Sequence, residues 1–148
     1  MILEKNFKIV TYSFFLILFL RFPFFFTDVF NWDESTYLII GQWIVDGGLP
    51  YLGRTEIKPP LLGYLYSLFV FFSLGELYLI RFYNCLLLIL NLYFLLKIHN
   101  YIFEKKSYFF LITSFIFSST FIIRDSQALF SEHFAVTFLT ISLFFILK

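Results

Sequence analysis

The stretch LYLIRFYNCLLLILNLYFLL, residues 77–96, decides the class of this chain. One charged residue, Arg81, interrupts it, and its length matches the roughly 20 apolar residues needed to cross a bilayer core of about 30 Å. Three other runs, 9–26, 107–123 and 128–147, read the same way. A fifth apolar run, 60–74, is shorter; as a helix of about 15 residues it reaches roughly 22 Å and falls short of crossing. The predicted fold class is all-α: a polytopic membrane bundle of about four transmembrane helices, with juxtamembrane helices in a first external loop, 27–76.

Composition agrees. The 148 residues are 60% hydrophobic, 25% aromatic and 14% charged, with mean hydropathy +0.85, whereas a soluble domain carries roughly a quarter charged residues. A net charge of +1 supplies no field for nucleic acid, which is not an expected partner. Cys85 is the sole cysteine, so there is no internal disulfide framework, and it reads as a small buried hydrophobe. Lys5 and Lys8 precede the first run as in a signal peptide. The run is long, however, Arg21 and Pro23 lie near its far end, and no small-x-small site follows. It is read as an uncleaved first span.

Lysines set the topology, because cytoplasmic loops are enriched in basic residues. Lys5 and Lys8 precede the first span; Lys97, Lys105 and Lys106 bracket the loop before the third. If both groups are cytoplasmic, 77–96 supplies the single return pass, and 60–74 lies in the outer interface or dips in without crossing. Lys58 is then the only external lysine. Asp28, Asp33, Glu34, Asp46, Glu56, Glu76, Asp125 and Glu132 fall outside, against Glu4 and Glu104 inside. The polar clusters 28–58 and 124–133 meet on one external face. If 60–74 crossed instead, 124–133 would lie on the opposite side from the Asp-Glu loop.

Asn31-Trp32-Asp33-Glu34-Ser35-Thr36-Tyr37 opens a short predicted helix over 34–46. Asn31 or Asp33 can cap it, and Asn31-x-x-Glu34 matches a capping box. Gly47-Gly48 stops the helix and Pro50 blocks its continuation. Trp32, Tyr37 and Trp43 suit a helix in the headgroup region. Acids in a first turn complement the helix dipole; for Glu34 this account and a functional role both stay open. For Asp33 the same field favours an ionised carboxylate, which at a membrane surface can serve as a general base.

In Glu56-Ile57-Lys58-Pro59-Pro60 the residue before proline is pushed toward an extended conformation, so Glu56 and Lys58 point to one side. Pro59 or Pro60 can begin the next helix. Lys58 is either a snorkelling lysine or a phosphate ligand. Arg81 either snorkels or faces the same cleft. Arg124-Asp125 can form a local ion pair. Glu132 lies within an otherwise apolar run, and an intramembrane acid is usually kept for a task. Glu56, Glu132 and His133 could contribute to a divalent metal site, but no metal-ligand spacing occurs and no metal ligand is assigned.

Together, Asp33-Glu34-x-x-Tyr37, Gly47-Gly48-x-Pro50-Tyr51, Lys58-Pro59-Pro60-Leu61, Gly75 and Arg81 resemble the N-terminal part of GT-C glycosyltransferases. The nearest groups are the protein O-mannosyltransferases and the lipid A aminoarabinose transferases, and the resemblance covers roughly residues 20–147. It implies sugar transfer from a polyprenyl-phosphate donor to a lipid, glycan or protein acceptor hydroxyl at the external face of the plasma membrane, part of the cell envelope. The family's catalytic aspartate falls on Asp33, its second acid on Glu132 and its phosphate-contacting lysine on Lys58. Some relatives have Glu directly before that lysine, where this chain has Ile57, so a metal role does not carry over to Glu56. Family members are several times longer, which implies further helices holding the rest of the site.

On this reading Asp33 takes the acceptor proton. Lys58, helped by Arg81 or Arg124, stabilises the departing phosphate. Glu132 orients the acceptor or supports Asp33, with Glu34, Tyr37 and Asp125 lining the substrate site. Membrane lipids are the remaining partners, and no cofactor is assigned. The rival reading is a non-catalytic polytopic protein: a truncated homologue, a scaffold or a transporter component. Transport pathways also hold intramembrane charge, but their helices are more often broken by Gly or Pro at mid-membrane. Here three of the four prolines and all six glycines fall in the external loop.

Overall fold

A computed structural model of the chain describes residues 2–28, 32–50, 52, 59–103, 108–117 and 131–148. It is all-helical, with no strand among the described residues. The helices are α1 (Ile2–Arg21), α2 (Trp32–Val45), α3 (Pro60–Ser73), α4 (Leu77–Ile102), α5 (Phe109–Phe117) and α6 (Ser131–Leu147), and a 3-10 segment, Phe22–Phe26, extends α1. Two stretches, Phe7–Phe26 and Leu77–Ile102, are long and apolar enough to cross a membrane. α6 has 17 residues and α3 has 14. The expected third span, 107–123, lies partly outside the described residues.

Side-chain contacts fix the helix directions. Ile17 of α1 packs with Cys85 and Leu88 of α4, while Ile9 and Val10 pack with Leu92 and Leu96. The two helices are therefore antiparallel. Tyr108, before α5, joins the Leu92–Leu96 end, and Phe115 and Ile116 reach toward Ile17 and Leu88; α5 runs alongside α1. Phe134 sits with Ile80, and the Phe144 ring lies 5.4 Å from Phe94, so α6 runs parallel to α4. The end of α1 and the starts of α4 and α6 thus share one end of the bundle. Lys97, over the Tyr93 ring at 5.3 Å, belongs to the other end.

α2 and α3 form a helical pair at the first end. They pack tightly at Gly41, where an added Cβ would lie 3.0 Å from the Tyr66 carbonyl carbon and from Val70 Cγ2. Gly63 answers from α3 beneath Ile40 and Ile44. The last turns of α3 meet the early turns of α4: the Phe69 and Tyr83 rings are 5.3 Å apart, and Tyr83 donates to the Phe72 carbonyl at 3.3 Å.

The helix boundaries follow from local chemistry. Pro60 occupies the first turn of α3 after Pro59, as expected of a residue whose missing N–H is harmless there. α2 begins at Trp32, so Asp33 lies inside the first turn rather than capping it; Asn31 is outside the described residues. The end of α2 is a Schellman arrangement, with Gly48 N donating to Trp43 O at 2.8 Å, Gly47 N to Ile44 O at 3.0 Å, and Gly47 at φ +90°. α3 ends in the same pattern, but there the left-handed position is held by Leu74, at φ 54°.

Candidate functional site

The common end of α1, α4 and α6, with the start of α2, gathers most of the described ionisable side chains that the sequence singles out. Asp33 and Glu34 occupy the first turn of α2, and Glu132 the first turn of α6. Asp33 and Glu132 are exposed, whereas Glu34 is buried. Adjacent residues on a helix project about 100° apart, so one acid faces out while its neighbour faces the bundle.

Glu34 faces Arg81, with Oε2 3.6 Å from Nη2 and both side chains 2% exposed. The guanidinium also grips the chain leaving α1. Its Nη1 donates to the carbonyls of Phe24 and Thr27, the latter at 2.6 Å, and to Thr27 Oγ1 at 2.9 Å; Nη2 donates to the Asp28 carbonyl at 2.8 Å. Arg81 therefore neither snorkels nor projects into open space. A planar fork with five donors suits this task, and a lysine would supply fewer bonds.

One turn beyond Asp33, Tyr37 turns inward and stacks on Tyr66, with ring centroids 4.7 Å apart and planes at 17°. The edge of Phe134 meets Tyr66 from α6 at 5.6 Å. Burial pushes the Tyr66 hydroxyl above the usual tyrosine range, and Tyr37, Glu132, Glu34 and Asp33 add to the shift in that order. Tyr66 thus stands within electrostatic reach of acids on both α2 and α6.

A second buried arginine lies nearby. Arg21, at the end of α1, is 2% exposed, hydrogen-bonds with the Cys85 thiol and stands within electrostatic reach of His133. Cys85 is buried as expected, with an arginine for a neighbour. His133 is half-buried. Asn84, fully buried one turn after Arg81, completes the polar layer.

Of the residues expected to form the site, Asp33 and Glu132 are exposed at the same end, whereas Glu34, Tyr37 and Arg81 form the buried layer beneath them. Lys58, Arg124, Asp125 and Glu56 lie outside the described residues. Among the described residues, no group of three or more His, Cys, Asp or Glu side chains is arranged to hold a metal ion. Sequence reasoning did not single out Tyr66, one of ten tyrosines with no motif around it. Arg21 offered one signal: a charge at the end of an apolar run must find a partner inside.

Comparison of the chain with protein-family models, with curated proteins and with solved structures finds no match.

Proposed function

We propose that this chain carries part of a sugar-transfer site at the external face of the plasma membrane, using a polyprenyl-phosphate sugar and an acceptor hydroxyl. In this reading α1, α4, α5 and α6 are the four crossings, and the α2–α3 pair lies in the outer interface. The helix directions support it: α1, α4 and α6 meet at one end without a crossing by α3. Lys97 lies at the opposite end, as the positive-inside rule asks.

The observation that carries the proposal is that Asp33 and Glu132, exposed acids from helices about 100 residues apart in sequence, open two helices at the same end of the bundle and both stand within electrostatic reach of Tyr66. Asp33 is the general base toward the acceptor hydroxyl. Glu132 orients that hydroxyl and stabilises positive charge developing at the anomeric carbon, as flanking carboxylates do in glycosidases. Lys58 is the phosphate ligand.

The test uses the chain in lipid nanodiscs with a radiolabelled polyprenyl-phosphate sugar, measuring donor binding and sugar transfer. Asp33→Asn is expected to lower transfer by about 100-fold or more with donor binding intact, within the range for loss of a general base. Lys58→Ala is expected to weaken donor binding. A wild-type chain that neither binds nor transfers the donor overturns the reading. Undiminished transfer by Asp33→Asn removes Asp33 as the base.

A further inference from the structure

Taking the sugar-transfer reading as its starting point, we infer that Arg81 and Glu34 are the positioning pair of the site: they set where Asp33 stands relative to Glu132 without touching the donor. α2 packs along α3, and the later turns of α3 meet the bundle through aromatic contacts, Tyr66 and Phe69 with Phe134 and Phe69 with Tyr83. Those contacts hold the α3 side of the pair. The Glu34–Arg81 ion pair anchors the first turn of α2 to α4. Asp33 is next to Glu34 in that turn, so it inherits the position of the pair.

Arg81 also holds the chain that leads into α2. Its bonds to Phe24, Thr27 and Asp28 stop the connection from swinging away from the bundle. With the α1 end, the α2 start and the α4 start drawn to one guanidinium, the Asp33–Glu132 separation is set by α4 and α6, which are parallel and packed along their length. The arginine meets protein oxygens in the interior, and its burial keeps it from a lipid phosphate. Its contribution to the reaction is geometric.

The test measures that separation directly. Spin labels at Asp33→Cys and Glu132→Cys, in a Cys85→Ala background, report the distance distribution by pulsed dipolar spectroscopy in nanodiscs. Labels at Leu90→Cys and Leu143→Cys, both on exposed positions of α4 and α6, serve as the control. Arg81→Gln and, as the milder variant, Glu34→Gln are expected to broaden the 33–132 distribution and leave the control narrow, with Arg81→Lys in between. An unchanged 33–132 distribution overturns the inference. Broadening of both pairs also overturns it, because the pair would then merely support the fold.

In the transfer assay, with Asp33 and Glu132 intact, Arg81→Gln is expected to lower kcat by on the order of 100-fold, the effect of a misplacement of about 1 Å. KM for the donor is expected to stay within about twofold, since no donor contact is lost. A large rise in KM at unchanged kcat would make Arg81 a donor ligand and overturn the inference. If the wild-type chain transfers no sugar, the functional reading fails, while the distance measurement still decides the positional claim.

Discussion

Glu34 and Arg81 meet 3.6 Å apart, each 2% exposed, and they join the first turns of two helices 47 positions apart in sequence. An ion pair buried this deeply owes its value to its surroundings, because removing both charges from water is costly. Here the guanidinium also donates to the backbone carbonyls of Phe24, Thr27 and Asp28, where the chain leaves α1.

Arg81→Met removes the charge that faces Glu34 and the bonds to three carbonyls together, and is expected to destabilise by about 3–5 kcal/mol, as when one partner of a buried pair is removed. Glu34→Gln keeps the shape and can still accept from the guanidinium, so its loss is expected to be about 1–2 kcal/mol. Thermal unfolding in a single detergent checks the order; equal losses would mean that the carbonyl bonds contribute nothing.

Gly41 and Gly63 both sit in the α2–α3 contact but should respond differently. A Cβ at Gly41 meets the Tyr66 main chain at 3.0 Å, and backbone cannot step aside. At Gly63 it meets Ile44 Cδ1 at 3.0 Å and Ile40 Cγ2 at 3.1 Å, which can turn away. Gly41→Ala is expected to cost about 1–3 kcal/mol by overpacking and to separate the Tyr37 and Tyr66 rings, seen as a loss of near-ultraviolet circular dichroism. Gly63→Ala should cost clearly less.

Leu74 ends α3 at φ 54° with its side chain 88% exposed. A leucine in the left-handed region carries a strain of about 1–2 kcal/mol that glycine lacks. Leu74→Gly is therefore expected to raise the unfolding midpoint. A fall would show that the side chain is held by lipid more strongly than the backbone is strained.

Tyr66 gives a pH signature. Its hydroxyl is raised above the ordinary value of 10.0 in the folded chain, first by burial. A raised folded value means that the native state holds the proton more tightly than the unfolded chain does. Its contribution is fully present below about pH 10 and is lost progressively as pH rises further, because the unfolded phenol then ionises more readily. Tyr66→Phe removes this term, so alkaline unfolding should begin at higher pH than in the wild type. An unchanged onset would show that Tyr66 ionises normally.

Much of this architecture was legible in the chain. Hydropathy located α1, α3, α4 and α6, because a run of apolar side chains can be satisfied only in lipid or a core; α3 and α6 match to within three residues, whereas α1 begins at Ile2 rather than Ile9 and α4 continues to Ile102 rather than Leu96. Pro59-Pro60 and Gly47-Gly48 marked helix ends, because their backbones restrict or widen the allowed dihedrals. Asp33 and Glu132 stood out because charge is costly beside hydrocarbon.

The partners of those charges were not legible. Whether Arg81 faces lipid headgroups, a cleft or the interior depends on where the turn after α1 falls, and a local pattern does not contain that. Asp33 and Glu34 are equivalent acids in sequence; only the packing of α2 against α3 decides which faces water and which faces Arg81. Tyr66 became part of the candidate site only when α2, α3 and α6 converged on it. The sequence by itself determined the helices and the costly charges, since both are properties of a residue and its neighbours along the chain. Tertiary structure alone decided which charges are sheltered and which are presented, since that depends on contacts among residues far apart in sequence.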